Sequence, residues 1–233
     1  MCGRYVMTED PGSLAQLLAV PADDQALQTF AANPHYNICP GQNILAFRDL
    51  PERRGTLLHW GLVPSWSKDR KNAYRMINAR SETVFDKPSF RRPVRSQRCL
   101  APASGFYEWH RLREPSQPYF IHYTGGAPML FAAIWDRWKA GPDEELESVA
   151  LLTAPASGAV RDIHDRMPVL LQLPEVDPWL DSSTPEQTLR AILSARPRPA
   201  VTLRPVSRAV NTPRNDGPEL IEAVAESPLL FES

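Results

Sequence analysis

Apolar residues along the chain gather in short blocks rather than long amphipathic stretches. Thr8–Val20 places Leu14, Leu17 and Leu18 on one face at helical spacing, with Thr8 positioned to cap the helix and acids in the turn that follows. Residues 21–43 are rich in Pro and Asn and read as loop. Strand-like segments then recur at Asn43–Leu50, Thr56–Trp60, Gly105–Arg111, Tyr119–Thr124, Leu130–Trp138, Ser148–Thr153, Val169–Gln172 and Val201–Val206. Helical patterning returns only briefly, around Ala79–Phe85, Ala156–Ile163, Pro185–Ala195 and Gly217–Ala225. Many strands with few, short helices between them predict an α+β fold. No repeat, low-complexity stretch or linker divides the chain. The expectation is a single domain over 1–233, with a core of about 2–222 and a short variable tail. Its β core is largely antiparallel and barrel-like, with short helices at the periphery.

Composition sharpens this picture. Pro supplies 24 of the 233 residues against 11 Gly, which disfavours long helices and favours short strands joined by rigid loops. No run of 18 apolar residues exists, and the opening MCGRYVMTED lacks the apolar run of a signal peptide, so a cytoplasmic location is expected. Three cysteines, Cys2, Cys39 and Cys99, cannot all pair, and none lies in a CxxC. That argues against a disulfide scaffold and against a structural zinc. The net charge of −1 conceals an asymmetry: Lys68–Arg98 carries +7 and Arg196–Arg214 carries +5, leaving −13 for the rest. Such segments fit a face for a polyanion, or a set of solvated arginines.

The chemistry starts at Cys2. Removal of Met1 would leave it with an α-amine and a thiol on adjacent carbons. An α-amine ionises near about 7.7–8.0, far below a lysine, and so is substantially neutral at pH 7. A 1,2-aminothiol can condense with an aldehyde and close to a thiazolidine, or act as an N-terminal nucleophile on an acyl group. A cysteine placed second by chance is the plain alternative. Further along, Asn78-Ala79-Arg80-Ser81-Glu82-Thr83 follows apolar Met76-Ile77 and sets an amide and a guanidinium at a strand-to-helix turn in the basic segment. Gly105-Phe106-Tyr107-Glu108-Trp109 sets a carboxylate among aromatics, where burial would raise its pKa and suit it to proton transfer. Ile163-His164-Asp165-Arg166-Met167-Pro168 offers an imidazole beside an acid and a base. Each has an ordinary explanation as a cap, a satisfied buried Glu or a surface His, and spacing alone does not make them one site.

Seven segments nevertheless occur in the order of one family: Met1–Tyr5, Tyr36–Gly41, Trp60–Trp66, Asn78–Thr83, Ser104–Trp109, Ile163–Pro168 and Ser207–Asn211. The sequence resembles the SOS-response-associated peptidase (SRAP) family of abasic-site processing proteins from Met1 to about Glu222. The resemblance implies a sensor of abasic sites in single-stranded DNA, linked covalently to the open-ring sugar aldehyde as a thiazolidine on Cys2. It implies that Asn78 holds the ring-opened sugar and the α-amine, that Glu108 shuttles protons, and that His164 assists ring opening and reversal. It further implies that Arg4, Arg80 and Arg166 grip flanking phosphates and that Pro40 and Trp66 wedge against or stack on neighbouring bases. A peptidase activity that removes Met1, and a lyase activity at abasic sites, belong to the same implication. No metal or other cofactor, no membrane and no obligatory protein partner are implied, and binding to DNA would place the protein at the nucleoid.

The residues are consistent with that implication. An abasic sugar presents no base edge, so recognition must come from phosphate contacts, stacking and covalent chemistry. Trp60 and Trp109 are expected mainly in the core, while Trp66, beside Ser67-Lys68-Asp69-Arg70, is the better exposed platform. Cys39 reads as a small hydrophobe in the loop carrying Pro40, or as a second thiol near the site. Cys99 reads as core, and His35, His59, His110 and His122 as structural or surface. Two other functions remain to be weighed. A glutaminase-like N-terminal-nucleophile amidohydrolase shares the Cys-Gly opening, yet the chain has no Asn-Gly for its oxyanion turn and the basic segment would go unexplained. A DNA-binding module with an inert cysteine is the non-enzymatic alternative.

Overall fold

In the computed structural model, which describes residues 2–48, 52–110, 116–141, 144–194 and 200–225, a five-stranded ring is built mainly from antiparallel neighbours. The chain runs through β1 (Tyr5–Met7), α1 (Pro11–Leu18), α2 (Gln25–Ala31), β2 (His35–Ile38), β3 (Asn43–Arg48), β4 (Arg54–Trp60), β5 (Asn78–Arg80), α3 (Pro93–Ser96) and β6 (Arg98–Ala103). It continues through β7 (Gly105–His110), β8 (Gln117–Tyr123), β9 (Met129–Lys139), β10 (Glu145–Pro155), β11 (Arg166–Pro168), β12 (Leu170–Leu171), α4 (Leu173–Leu180), α5 (Glu186–Ser194) and β13 (Val201–Pro205).

The ring is β4-β3-β6-β9-β10, and it closes where β10 pairs in parallel with β4, Ser148 opposite His59 and Val149 opposite Trp60. Closure removes the exposed edges that an open sheet would leave. Length lets β10 do more than close the barrel. Beyond Val149 the same edge takes up β5 in parallel, Leu151 opposite Asn78 and Thr153 opposite Arg80, while the opposite edge, past its pairing with β9, takes up β11. A second, antiparallel sheet of order β13-β8-β7-β1-β2 lies beside the barrel. Tyr5 of β1 sets its ring edge-on to Trp60 and Phe131, tying that sheet to the barrel core. No helix among the described residues is long and apolar enough to cross a membrane.

The α+β, barrel-like architecture expected from the sequence is present, with local corrections. The cap of α1 is Asp10, which accepts the Ser13 amide at 2.8 Å, whereas Thr8 is held by the Ser104 hydroxyl at 2.9 and 3.0 Å. Residues 21–43 are not all loop: Asp24 caps α2 through the Leu27 amide, and β2 pairs with β1. The helix expected over Ala79–Phe85 is the strand β5 followed by turns, because the free edge of β10 satisfies the Asn78–Arg80 backbone. Two further expected helices, Ala156–Ile163 and Gly217–Ala225, are single 3-10 turns at Gly158–Asp162 and Pro218–Ile221. β6 is buried along its whole length, one side covered by α4, whose Trp179 indole donates to the Cys99 carbonyl at 2.8 Å. The expected strand ends at Leu50 and Arg111, and the tail after Ala225, lie outside the described residues.

Candidate active site

The residues before β1 enter the seam between the two sheets. Cys2 is fully buried there. The side-chain amide of Asn78 donates to its carbonyl oxygen at 2.7 Å. β5 supplies Asn78, and its backbone pairing with β10 fixes where that amide points. Glu108 lies on β7, two residues after Phe106, which pairs with Tyr5; it is buried at 3% exposure. Burial pushes the Cys2 thiol well above its ordinary range, and the nearby Glu108 carboxylate pushes it further the same way. The thiol therefore stays protonated at neutral pH. Two buried oxygens around this group, Asn78 Oδ1 and the Tyr5 hydroxyl, have no hydrogen-bond partner among the described residues.

A second group forms where β5, β10 and β11 meet. Arg166 is buried at 8% exposure; its Nη2 donates to the Thr153 carbonyl at 2.7 Å and to Glu82 Oε2 at 2.9 Å, and its Nη1 donates to Glu82 Oε1. This fork holds the Glu82 carboxyl down to about 2. His164 is buried at 5%, and its Nδ1 accepts the Arg166 amide at 2.9 Å. Asp165 Oδ1 stands at 2.9 Å from the same nitrogen and would need a proton on it, but that side chain is 81% exposed. The same nitrogen lies 3.2 Å from the Arg166 carbonyl, which, like Asp165, calls for a proton on Nδ1 where the Arg166 amide calls for its absence. Arg80, opposite Thr153 in the register, is exposed, and its side chain makes no hydrogen bond or ion pair among the described residues.

The remaining residues singled out in the sequence surround these groups. Arg4 is half-buried, donating from Nη1 to Asn37 Oδ1 at 2.8 Å and to the Val210 carbonyl at 2.6 Å, with Trp109 at 6.0 Å from its guanidinium carbon. Of the three cations expected to meet phosphates, Arg80 has no side-chain bond among the described residues, whereas Arg4 donates through Nη1 and Arg166 through Nη1 and Nη2 to protein oxygens. Pro40 is half-buried on a turn fixed by the Gly41 amide on the Trp60 carbonyl at 2.8 Å. Trp66 is 65% exposed, whereas Trp60 is fully buried and Trp109 half-buried. All three cysteines are free; Cys39 directs its thiol to the Asn37 carbonyl at 3.1 Å, and Cys99 is fully buried. Glu82 and Tyr5 lay inside quoted motifs, yet no sequence signal set them beside Arg166 and Cys2. Among the described residues no group of three or more His, Cys, Asp or Glu side chains could hold a metal ion.

Residues 1–213 match the SOS response associated peptidase (SRAP) family. The chain is 37% identical over 226 residues to abasic site processing protein YoqW of Bacillus subtilis, covering 96% of this chain and all of that one. Against abasic site processing protein HMCES of Rattus norvegicus it is 34% identical over 195 residues, covering 70% of this chain and 55% of the relative. A crystal structure of a Bacteroides thetaiotaomicron protein superposes with a TM-score of 0.83 at 21% identity, covering 96% of this chain and 100% of the other, which shows the shared fold. A phage-related protein from Bordetella bronchiseptica aligns with a TM-score of 0.68 at 29% identity, covering 89% and 95%. By this match and these identities, the chain belongs to the SOS response associated peptidase family.

Proposed function

We propose that this protein captures abasic sites in single-stranded DNA by forming a thiazolidine between Cys2 and the ring-opened sugar aldehyde, shielding the lesion. The observation that carries this reading is the buried Cys2, latched by Asn78 and faced by Glu108, in a chain whose relatives are named abasic site processing proteins.

With Met1 removed, the Glu108 carboxylate takes a proton from the α-ammonium of Cys2; the neutral amine then attacks the aldehyde carbon, and one of its protons passes to the carbonyl oxygen, which becomes a hydroxyl. Glu108 gives a proton to that hydroxyl, which leaves as water, and a protonated imine remains. The sulfur then adds to the imine carbon while the thiol proton passes to Glu108, restoring the acid. The sum is aldehyde plus aminothiol giving thiazolidine plus one water. A protonated thiol suits this order, because the amine reacts first and the sulfur is released only when Glu108 can take its proton. Asn78 Oδ1 accepts from the α-amine, and His164 serves sugar-ring opening and the reverse reaction. Arg80 meets a flanking phosphate with its free guanidinium, and Arg4 and Arg166 add positive charge alongside. Pro40 and Trp66 engage the neighbouring bases. Removal of Met1 by the chain itself, with Cys2 as nucleophile, and strand cleavage at the abasic site draw on the same groups.

The test is denaturing electrophoresis of Met1-free protein with an abasic single-stranded oligonucleotide. A heat-stable adduct that is absent with intact DNA and absent with Cys2→Ala is expected; no adduct from the processed wild type would overturn the reading.

A further inference from the structure

The loop between β4 and β5, residues 61–77, is bound at its base and bare at its tips. The Leu62 amide donates to the Met76 carbonyl at 3.0 Å, and the Trp60 indole donates to the Ile77 carbonyl at 2.9 Å. Gly61, at φ +137°, lets the two limbs approach: a Cβ there would sit 2.9 Å from the Ala73 carbonyl oxygen. The tips carry Trp66 and Tyr74, each 65% exposed, the two most exposed large hydrophobic side chains described. The other three, Leu57, Leu173 and Val224, are aliphatic and lie elsewhere.

Both aromatics are presented by anchored neighbours. On one side of Trp66 the Ser65 amide donates to buried Asp136 at 2.8 Å, and on the other the Ser67 carbonyl accepts the Trp138 indole at 2.7 Å. The chain is clamped on both sides of a ring that faces solvent. Tyr74 lies in the 3-10 turn Ala73–Arg75, with the Arg75 guanidinium carbon 5.3 Å from its ring centre and Arg75 Nε bonded to its hydroxyl at 2.8 Å. Lys68, Arg70, Lys71 and Arg75 against Asp69 alone give the loop +3, and its last residue precedes Asn78. Flat π-faces held rigidly among cations suit unpaired bases and their phosphates, which every base can satisfy without hydrogen-bond readout.

We infer that Tyr74, backed by Arg75, is a second base-stacking platform, so that one loop engages two unpaired bases of the strand flanking the abasic site. This rests on the function proposed above. Trp66 was singled out by the sequence; Tyr74 was not.

The test is fluorescence anisotropy with a labelled single-stranded oligonucleotide carrying a tetrahydrofuran abasic analogue, which has no aldehyde and binds non-covalently. Tyr74→Ala is expected to weaken binding by about 5- to 100-fold, with Tyr74→Phe near wild type and the salt dependence unchanged. Deleting flanking bases one at a time should reveal one position whose loss weakens the wild type but not Tyr74→Ala. Tyr74→Ala binding as tightly as wild type, or a loss independent of every base deleted, overturns the inference and leaves the proposed function standing. Failure of wild type to bind the oligonucleotide overturns both.

Discussion

The side-chain amide of Asn78 donates to the backbone carbonyl of Cys2 at 2.7 Å, although 76 positions separate them. That bond fixes the direction of the first residues of the chain, and with it the position of the Cys2 nitrogen that the proposed reaction uses as an amine. Asn78→Ala removes the donor and leaves a carbonyl oxygen unsatisfied at a buried residue, a loss of about 1–3 kcal/mol. Crosslinking of Asn78→Ala to abasic DNA should slow by roughly 10- to 100-fold, measured as the initial rate of adduct formation. Asn78→Asp, which sets a carboxylate against the carbonyl, should be at least as slow.

Folding should couple to ionisation of Cys2. Its thiol is raised from an ordinary 9.0 by burial first and by Glu108 second. A thiol raised on folding contributes stability that is complete below the unfolded value and is lost as pH rises beyond it. Wild type should therefore lose stability to urea above about pH 9 more steeply than Cys2→Ala. Equal slopes would mean that the thiol is not buried as described. Tyr107, also raised by burial, steepens both curves alike at still higher pH, whereas Tyr5, raised by burial and then by Cys2, adds to the difference between them.

The Glu82–Arg166 fork titrates at the other extreme. Glu82 is depressed from 4.5 to about 2, mainly by its hydrogen bonds from Arg166. Its contribution is present above the unfolded value and is lost as pH falls through about 2. Glu82 is 44% exposed, so the pair is screened; Arg166, at 9%, is not, and would be left buried and partly unpaired. Glu82→Gln should cost about 1–2 kcal/mol at neutral pH, a difference that shrinks toward zero below pH 3 in denaturant titrations.

Loop presentation rests on Gly61. Gly61→Ala combines an unfavourable positive φ with a 2.9 Å approach to the Ala73 carbonyl, a strain of about 1–3 kcal/mol. Thermal unfolding should show the loss, and affinity for single-stranded DNA should fall with it, since Trp66 and Tyr74 both ride on this loop. Cys39→Ser, by contrast, should leave the crosslinking rate within about twofold of wild type, because its thiol points at the Asn37 carbonyl.

Those elements whose sequence pattern reflects their own environment were legible. β3, β4, β8, β9 and β10 carry the apolar runs and alternation from which a barrel follows, and α5 has its helical stripe. Elements made by partners elsewhere were not. β5 is three residues long and is a strand only because β10 outlasts its pairing with β4. β6, covered on both faces, shows no alternation at all. Of the residues the ordered motifs singled out, the structure sets Cys2, Asn78 and Glu108 around one point and His164 beside Arg166. Arg166 was expected to face phosphate, yet it is buried on Glu82 and Thr153, a pairing across 84 positions that no local pattern announces. Tyr74 escaped notice for a simpler reason, since exposure cannot be read from a residue type that is commonly buried.

The central claim is tested most directly by intact mass spectrometry of the Met1-free protein before and after incubation with a short abasic single-stranded oligonucleotide. A gain equal to the oligonucleotide minus one water, unchanged by borohydride, is the predicted result and identifies a thiazolidine rather than an imine. A protein lacking Met1 that shows no gain, or an adduct that borohydride reduces, would contradict it.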